Sequence, residues 1–92
     1  MYNQTSDRTK MAYYVIYSIL RSDVEGQIKT IDDLRDFLNL GLEQCDAIVE
    51  NQSKIEQTKS WYKKAISLTY SHSKTELEKI LKKKAIEYGF TN

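Results

Sequence analysis

The amino-acid sequence predicts a small all-α protein, an antiparallel four-helix bundle, from its composition, its apolar spacing and its helix-start signals. The 92 residues include no proline, three glycines and no Asn-Gly dipeptide, so strong helix breakers and typical hairpin turns are absent. Apolar residues recur every three or four positions, which is the period of a helix buried on one side. A chain of this length suits one domain, and we expect residues 1–92 to fold together.

Three helix starts are predicted by a hydroxyl residue that is followed three positions later by an acid. In such a capping box the hydroxyl accepts a hydrogen bond from a free backbone N–H, and the acid reaches back to the N–H of the cap. The three pairs are Thr30 with Asp33, Ser53 with Glu56, and Ser73 with Glu76.

The first predicted helix covers residues 7–21 and is apolar over more than one face. Its buried stripe is expected to contain Ala12, Val15, Ile16, Ile19 and Leu20. Tyr13 and Tyr17 lie one turn apart beside that stripe. A helix with so wide an apolar surface is either central in the bundle or part of an interface, so homodimerisation through this face stays open.

The second predicted element, residues 31–51, has two interpretations. Its apolar face contains Ile31, Leu34, Leu38, Leu42, Cys45, Ile48 and Val49. Because the spacing continues through Gly41, the pattern is typical of one long bundle helix. The stretch also resembles the helix-turn-helix of phage-repressor-type regulators over residues 30–51, with a turn near Asn39–Gly41. Such a turn would make five helices.

Charge argues against DNA reading by this segment. The part that would enter the major groove carries Glu43, Asp46 and Glu50 and no basic residue. Duplex binding depends largely on neutralising phosphates, and base edges are usually read by Arg, Lys, Asn or Gln. The position that is usually small and packed between the two helices is Arg35. We therefore favour one continuous helix and keep a DNA-binding regulator as the alternative function.

Two further helices are expected in the second half of the chain, at residues 53–70 and 74–88. Gly89 is expected to end the last helix, with Phe90 able to fold back. The core of the bundle is expected to contain Val15, Ile16, Ile19, Leu34, Leu38, Cys45, Ile48, Ala65, Leu68, Leu77 and Leu81.

The net charge of +1 hides a split between an acidic and a basic segment. Residues 31–51 carry one arginine and six acids, for −5, whereas residues 52–92 carry nine lysines and four glutamates, for +5. Opposite charges of this kind either attract each other within the fold or mark different partners.

The basic half contains the candidate partner-binding residues. Lysines interleaved with aromatic residues suit a phosphate backbone or an acidic protein surface, although a solvated helix face carries lysines too. No arginine follows Arg35, so bidentate recognition of phosphate is missing. A protein partner is therefore expected first, with nucleic acid and a membrane surface as alternatives. The candidate residues are Trp61, Tyr62, Lys63, Lys79, Lys82, Lys83 and Lys84.

No catalytic, metal or cofactor site is expected. His72 is the only histidine and lies in a serine-flanked turn, without a carboxylate or cysteine at ligand spacing. Cys45 lies on an apolar face, which is typical of a small buried side chain. No Gly-rich phosphate loop occurs. The sequence therefore predicts neither an enzyme nor a small-molecule substrate.

The sequence predicts a cytoplasmic protein. A single cysteine cannot form an internal disulfide, which fits a reducing compartment. The longest apolar run, residues 11–20, is shorter than the about 20 residues that span a bilayer. No charged leader with a small-residue cleavage site precedes that run.

The order of helix types along the chain carries a family resemblance. A first helix ending in YVIYSILRSDVE is followed by an acidic helix opening with IDDLRDFL, a helix rich in Lys and aromatic residues, and a basic last helix. This layout resembles the small immunity proteins that protect producers of pediocin-like bacteriocins. The resemblance implies a cytoplasmic bundle that guards a membrane target of the toxin, with specificity in its C-terminal half and no catalytic residue. The composition fits a low-GC bacterium, its plasmid or its phage.

Overall fold

The computed structural model describes residues 4–48 and 50–90, and within them the side chains of residues 8–47 and 50–90. The chain forms α1 (Gln4–Ser22), α2 (Ile31–Ile48), α3 (Gln52–Ser71) and α4 (Lys74–Tyr88), with no strand in the described ranges. The predicted all-α four-helix bundle is thereby confirmed. The radius of gyration of 13.1 Å is close to the roughly 12 Å expected of a compact chain of this length.

Helix α3 is the central element, because it packs against each of the other three helices. Helix α2 lies antiparallel to α3, with Arg35 beside Thr69 at one end and Asp46 beside Lys59 at the other. Helix α4 packs mainly on α1, while α1 and α2 make little direct contact. The prediction left α1 either central or at an interface, and the structure gives the central position to α3.

The core lies between α3 and its neighbours and agrees with most of the predicted list. Fully buried there are Ile16, Leu34, Leu38 and Leu77, with Cys45, Ala65, Leu68 and Leu81 also buried. Val15 and Ile19 are only partly buried, because they lie at the margin of the core rather than in its centre. The side chain of Ile48 lies outside the described residues.

One core residue comes from the connector between α1 and α2, which the sequence marks as polar. Ile28 is 8% exposed and belongs to the main core cluster. Its position is held by Asp23, whose carboxylate accepts hydrogen bonds from the N–H groups of Gln27 (2.8 Å) and Ile28 (2.9 Å). The connector contains two apolar residues, and only the structure shows that Ile28 is buried while Val24 is 93% exposed.

Helix α2 runs through Gly41 without a break, so the five-helix alternative and the turn of a helix-turn-helix motif are wrong. A glycine is needed at position 41 because α3 approaches α2 closely there. A Cβ atom built at Gly41 would lie 2.6 Å from Cε1 and 3.0 Å from Cζ of Tyr62. The glycine therefore makes room for an aromatic ring between two helices and does not mark a turn.

Replacing Gly41 with alanine is expected to destabilise the protein slightly, in spite of a better helix propensity. The propensity gain is about 1 kcal/mol. Overpacking a close contact costs about 1–3 kcal/mol, because the Tyr62 ring must move. In a Tyr62→Leu background the same substitution should become stabilising, and urea unfolding of all four proteins measures the difference. Stabilisation by Gly41→Ala with Tyr62 present would contradict this account.

Two of the three predicted capping boxes are formed. At the start of α2 the Asp33 N–H donates to Thr30 Oγ1 (3.1 Å), and the Thr30 N–H donates to Asp33 Oδ2 (3.1 Å). At the start of α4 the same exchange joins Ser73 and Glu76, with both bonds at 3.2 Å. Backbone hydrogen bonds, from Thr30 and Lys29 to Asp33 and from Ser73 to Glu76, lower the pKa of both carboxyls.

The third predicted box, Ser53 with Glu56, is wrong. Helix α3 is capped by Asn51, whose side chain accepts hydrogen bonds from the N–H groups of Ser53 (2.9 Å) and Lys54 (3.3 Å). Asparagine is among the strongest N-cap residues and already satisfies these donors, so the helix begins earlier, at Gln52.

Replacing Asn51 with alanine is expected to destabilise the protein by about 1 kcal/mol, the usual cost of losing an N-cap side chain. Replacing Ser53 with alanine is the matched control and should change stability by less than about 0.5 kcal/mol, because Ser53 lies inside the helix. Thermal unfolding followed by circular dichroism measures both. A larger loss of stability in the Ser53 variant would show that Ser53 caps the helix, as the sequence predicted.

Gly89 ends α4 as predicted, in a left-handed conformation with φ of 74°. The N–H of Phe90 then donates to the carbonyl of Ala85 (2.8 Å), which closes the helix end. The Phe90 ring turns back onto α1, with ring centroids 5.0 Å from Tyr14 and 5.7 Å from Tyr17. Part of the tyrosine-bearing face of α1 is thus covered by the end of the same chain.

Candidate partner-binding surfaces

The aromatic residues predicted to bind a partner do not form one surface with the lysines. Successive residues of a helix point about 100° apart, so Trp61, Tyr62 and Lys63 face three directions. Tyr62 packs against Gly41 of α2, and its burial raises the pKa of its phenol. Trp61 is partly buried, whereas Lys63 is exposed. The structure therefore gives Tyr62 a packing position between helices.

The predicted lysines of α4 divide in the same way. Lys84 is partly buried and lies beside α1, with its Nζ 5.9 Å from the ring centroid of Tyr13 and 5.4 Å from that of Tyr88. Its Nζ also donates to Glu87 (3.2 Å), and this hydrogen bond raises the pKa of the ammonium group. Lys84 therefore makes its contacts within the protein, with two tyrosine rings and one carboxylate.

The other three lysines form the outward surface of α4. Lys79, Lys82 and Lys83 are exposed, and none has an acidic side chain within 4 Å among the described residues. Ile86 follows them at helical spacing and is 78% exposed. We call these four residues the α4 basic face. Sequence reasoning missed Ile86, although the residue falls outside the buried spacing of Leu77, Leu81 and Ala85.

The acidic α2 and the basic α4 do not neutralise each other. In the described part of the chain, the link between the acidic segment and the basic half is one ion pair, from Lys59 Nζ to Asp46 Oδ2 (3.0 Å). Within α4, Lys74 pairs with Glu78 (3.1 Å) and Lys84 pairs with Glu87 (3.2 Å). Two surfaces of opposite charge therefore remain exposed.

A cleft of about 630 Å³ opens between α1, α2 and their connector. Ile19 and Ile28 contribute apolar surface to it, and Phe37 and Leu40 line it while each remaining 49% exposed. Asp36 also lines it. We call this the α1–α2 cleft. The sequence did not predict it, because the cleft depends on how α1, the connector and α2 are placed relative to one another.

The residues most often used in catalysis have local roles. Cys45 is buried, its thiol donates to the carbonyl of Gly41 (3.3 Å), and burial raises its pKa. His72 follows α3, and its Nδ1 lies 3.9 Å from Glu76 Oε2, so the expectation that no carboxylate lies at ligand spacing from His72 is wrong. In the described ranges no group of three or more His, Cys, Asp or Glu side chains is placed to hold a metal ion.

None of the helices in the described ranges combines the length and the apolar character that a bilayer span requires. Comparison with known proteins found no matching family model, no matching curated protein and no matching solved structure.

Proposed function

We propose that the protein is a non-enzymatic binding protein that acts through a protein partner at the α4 basic face. The observation that supports this function is Ile86, a large apolar side chain that is 78% exposed beside Lys79, Lys82 and Lys83. An exposed apolar side chain beside lysines without acidic partners is typical of a small docking site, which has an apolar centre and a polar rim. The partner surface would be acidic and would offer an apolar recess.

Within this proposal the protein is of the immunity or inhibitor type and works in the cytoplasm by occupying its partner. The support is the resemblance of its layout to the immunity proteins of pediocin-like bacteriocins, in which the C-terminal half carries specificity. The α4 basic face belongs to that half of the chain.

Site-specific photo-cross-linking in the host cell tests the proposal. A photoreactive residue at Ile86 should capture one predominant protein, and capture should fall when Lys79, Lys82 and Lys83 are replaced with alanine. The matched control is the same photoreactive residue at Gln57, an exposed position of α3. Equal capture of the same proteins from both positions, or no capture from Ile86, would overturn the proposal.

The second candidate function is nucleic-acid binding, which the three unpaired lysines of α4 favour. Of the two predicted ways to bind DNA, the helix-turn-helix motif lacks its turn, which leaves the α4 basic face. A duplex titration at about 50 and 200 mM salt discriminates the two, because phosphate contacts weaken steeply with salt. Binding that weakens in this way and is lost in Lys82→Ala/Lys83→Ala would favour the nucleic acid over the protein partner.

A further inference from the structure

We infer that the α1–α2 cleft is a second binding surface and that it receives a cationic amphipathic helix. This inference is separate from the proposed function, because the cleft and the α4 basic face use different residues and opposite charges. It rests on the apolar lining of the cleft, on its charge and on the spacing of its exposed side chains.

The apolar lining suits a helix laid into a groove. Phe37 and Leu40 stand three positions apart on α2, so they lie side by side on one face of that helix. Each is half-exposed, while Ile19 and Ile28 supply further apolar lining. Amphipathic helices dock into such grooves by inserting apolar residues at i, i+3, i+4 and i+7.

The charge of the cleft selects a basic partner. Its charged lining residues are Asp23, Asp33 and Asp36, and no described lysine or arginine lines it. The carboxylates of Asp23 and Asp33 are held by backbone N–H groups, which fix them in place. Asp36 is exposed. A helix with lysines beside its apolar stripe would meet these three carboxylates, whereas an acidic helix would be repelled.

The proposal is tested with a synthetic peptide, since it names a chemical class of partner. The probe is a fluorescent peptide of about 18 residues with Leu at i, i+3, i+4 and i+7 and Lys elsewhere, long enough for about five helical turns. One control peptide has the same composition in scrambled order. Another carries Glu in place of every Lys. Binding to the full chain is followed by fluorescence anisotropy, and circular dichroism reports whether the peptide becomes helical.

Wild-type protein should bind the probe with saturation, and neither control peptide should bind comparably. Asp36→Lys and Leu40→Ala should each weaken binding by roughly tenfold, the equivalent of about 1.4 kcal/mol. Both positions are exposed, so the variants should keep the wild-type helical content. Gln57→Ala on α3 is the control, because Gln57 is exposed and belongs to neither proposed surface, and this variant should bind the probe as wild type does.

Three results would overturn the inference. The first is the absence of saturable binding of the probe up to about 1 mM. The second is equal binding of the scrambled peptide, which would reduce the contact to unspecific charge attraction. The third is self-association of the wild type that is lost in both Asp36→Lys and Lys82→Glu and restored by mixing them. That result would make α4 of a second copy the occupant.

Discussion

Replacing Leu77 with alanine is expected to remove a large part of the stability of this protein. The Leu77 side chain is fully buried and belongs to the cluster that joins α4 to the other helices. Truncating a buried leucine costs about 2–5 kcal/mol, the sum of lost burial and of the cavity left behind. A chain of this size has only about 5–14 kcal/mol in total. Urea unfolding followed by far-ultraviolet circular dichroism measures the loss.

The matched control for Leu77→Ala lies on the same helix. Ile86 is 78% exposed, so Ile86→Ala should change the free energy of unfolding by less than about 0.5 kcal/mol. The pair compares two aliphatic truncations that differ mainly in burial. Similar losses in both variants would show that Ile86 is buried in solution, and the α4 basic face would then lose its apolar member.

Replacing Arg35 with alanine is expected to destabilise the protein by about 2 kcal/mol, the range for a hydrogen-bonded charged group. Its Nε and Nη2 donate to Thr69 Oγ1 (3.0 Å) and to the Thr69 carbonyl (3.1 Å). That carbonyl is one of the last four of α3, which have no helical partner of their own. The guanidinium carbon also lies 3.9 Å from the ring centroid of Tyr70.

The melting temperature of Arg35→Ala should fall by roughly 8–16 °C in a domain of this size. Arg35→Lys should recover only part of the loss, because an ammonium group cannot reach two acceptors in the fork geometry of a guanidinium. Asp32→Ala is the second control. Asp32 Oδ1 lies 2.7 Å from Arg35 Nη1, but Asp32 is exposed, and exposed ion pairs contribute about 0–1 kcal/mol to stability. A larger loss in Asp32→Ala than in Arg35→Ala would assign the stabilisation to the ion pair.

The contacts of Arg35 explain why this position departs from the helix-turn-helix pattern. The motif needs a small residue at this position so that two successive helices can cross closely. In the structure the position faces α3, and a long side chain reaches along the interface to Thr69. Arg35 and Gly41 both lie against α3 in the structure, Arg35 at Thr69 and Gly41 at Tyr62.

The sequence by itself determined the helices and most of their ends. Thr30 with Asp33, Ser73 with Glu76, and Gly89 act on backbone groups within a few positions of themselves, so their effect can be read locally. The apolar period likewise identified most buried positions, because it records which side of a helix avoids water. Three ends were wrong at this level. Helix α1 begins at Gln4 and not at residue 7, α2 ends at Ile48 and not at residue 51, and α3 is capped by Asn51 and not by Ser53.

Only the tertiary structure decided which side chains remain available to partners. Tyr62 and Lys84 are predicted from the sequence to bind a partner, and in the structure both are partly buried and contact other helices. Ile86 and Phe37 are apolar in the sequence yet stay exposed. The physical reason is that exposure depends on which helices become neighbours. That pairing is set by contacts between residues far apart in the chain, which a period of three or four positions does not encode.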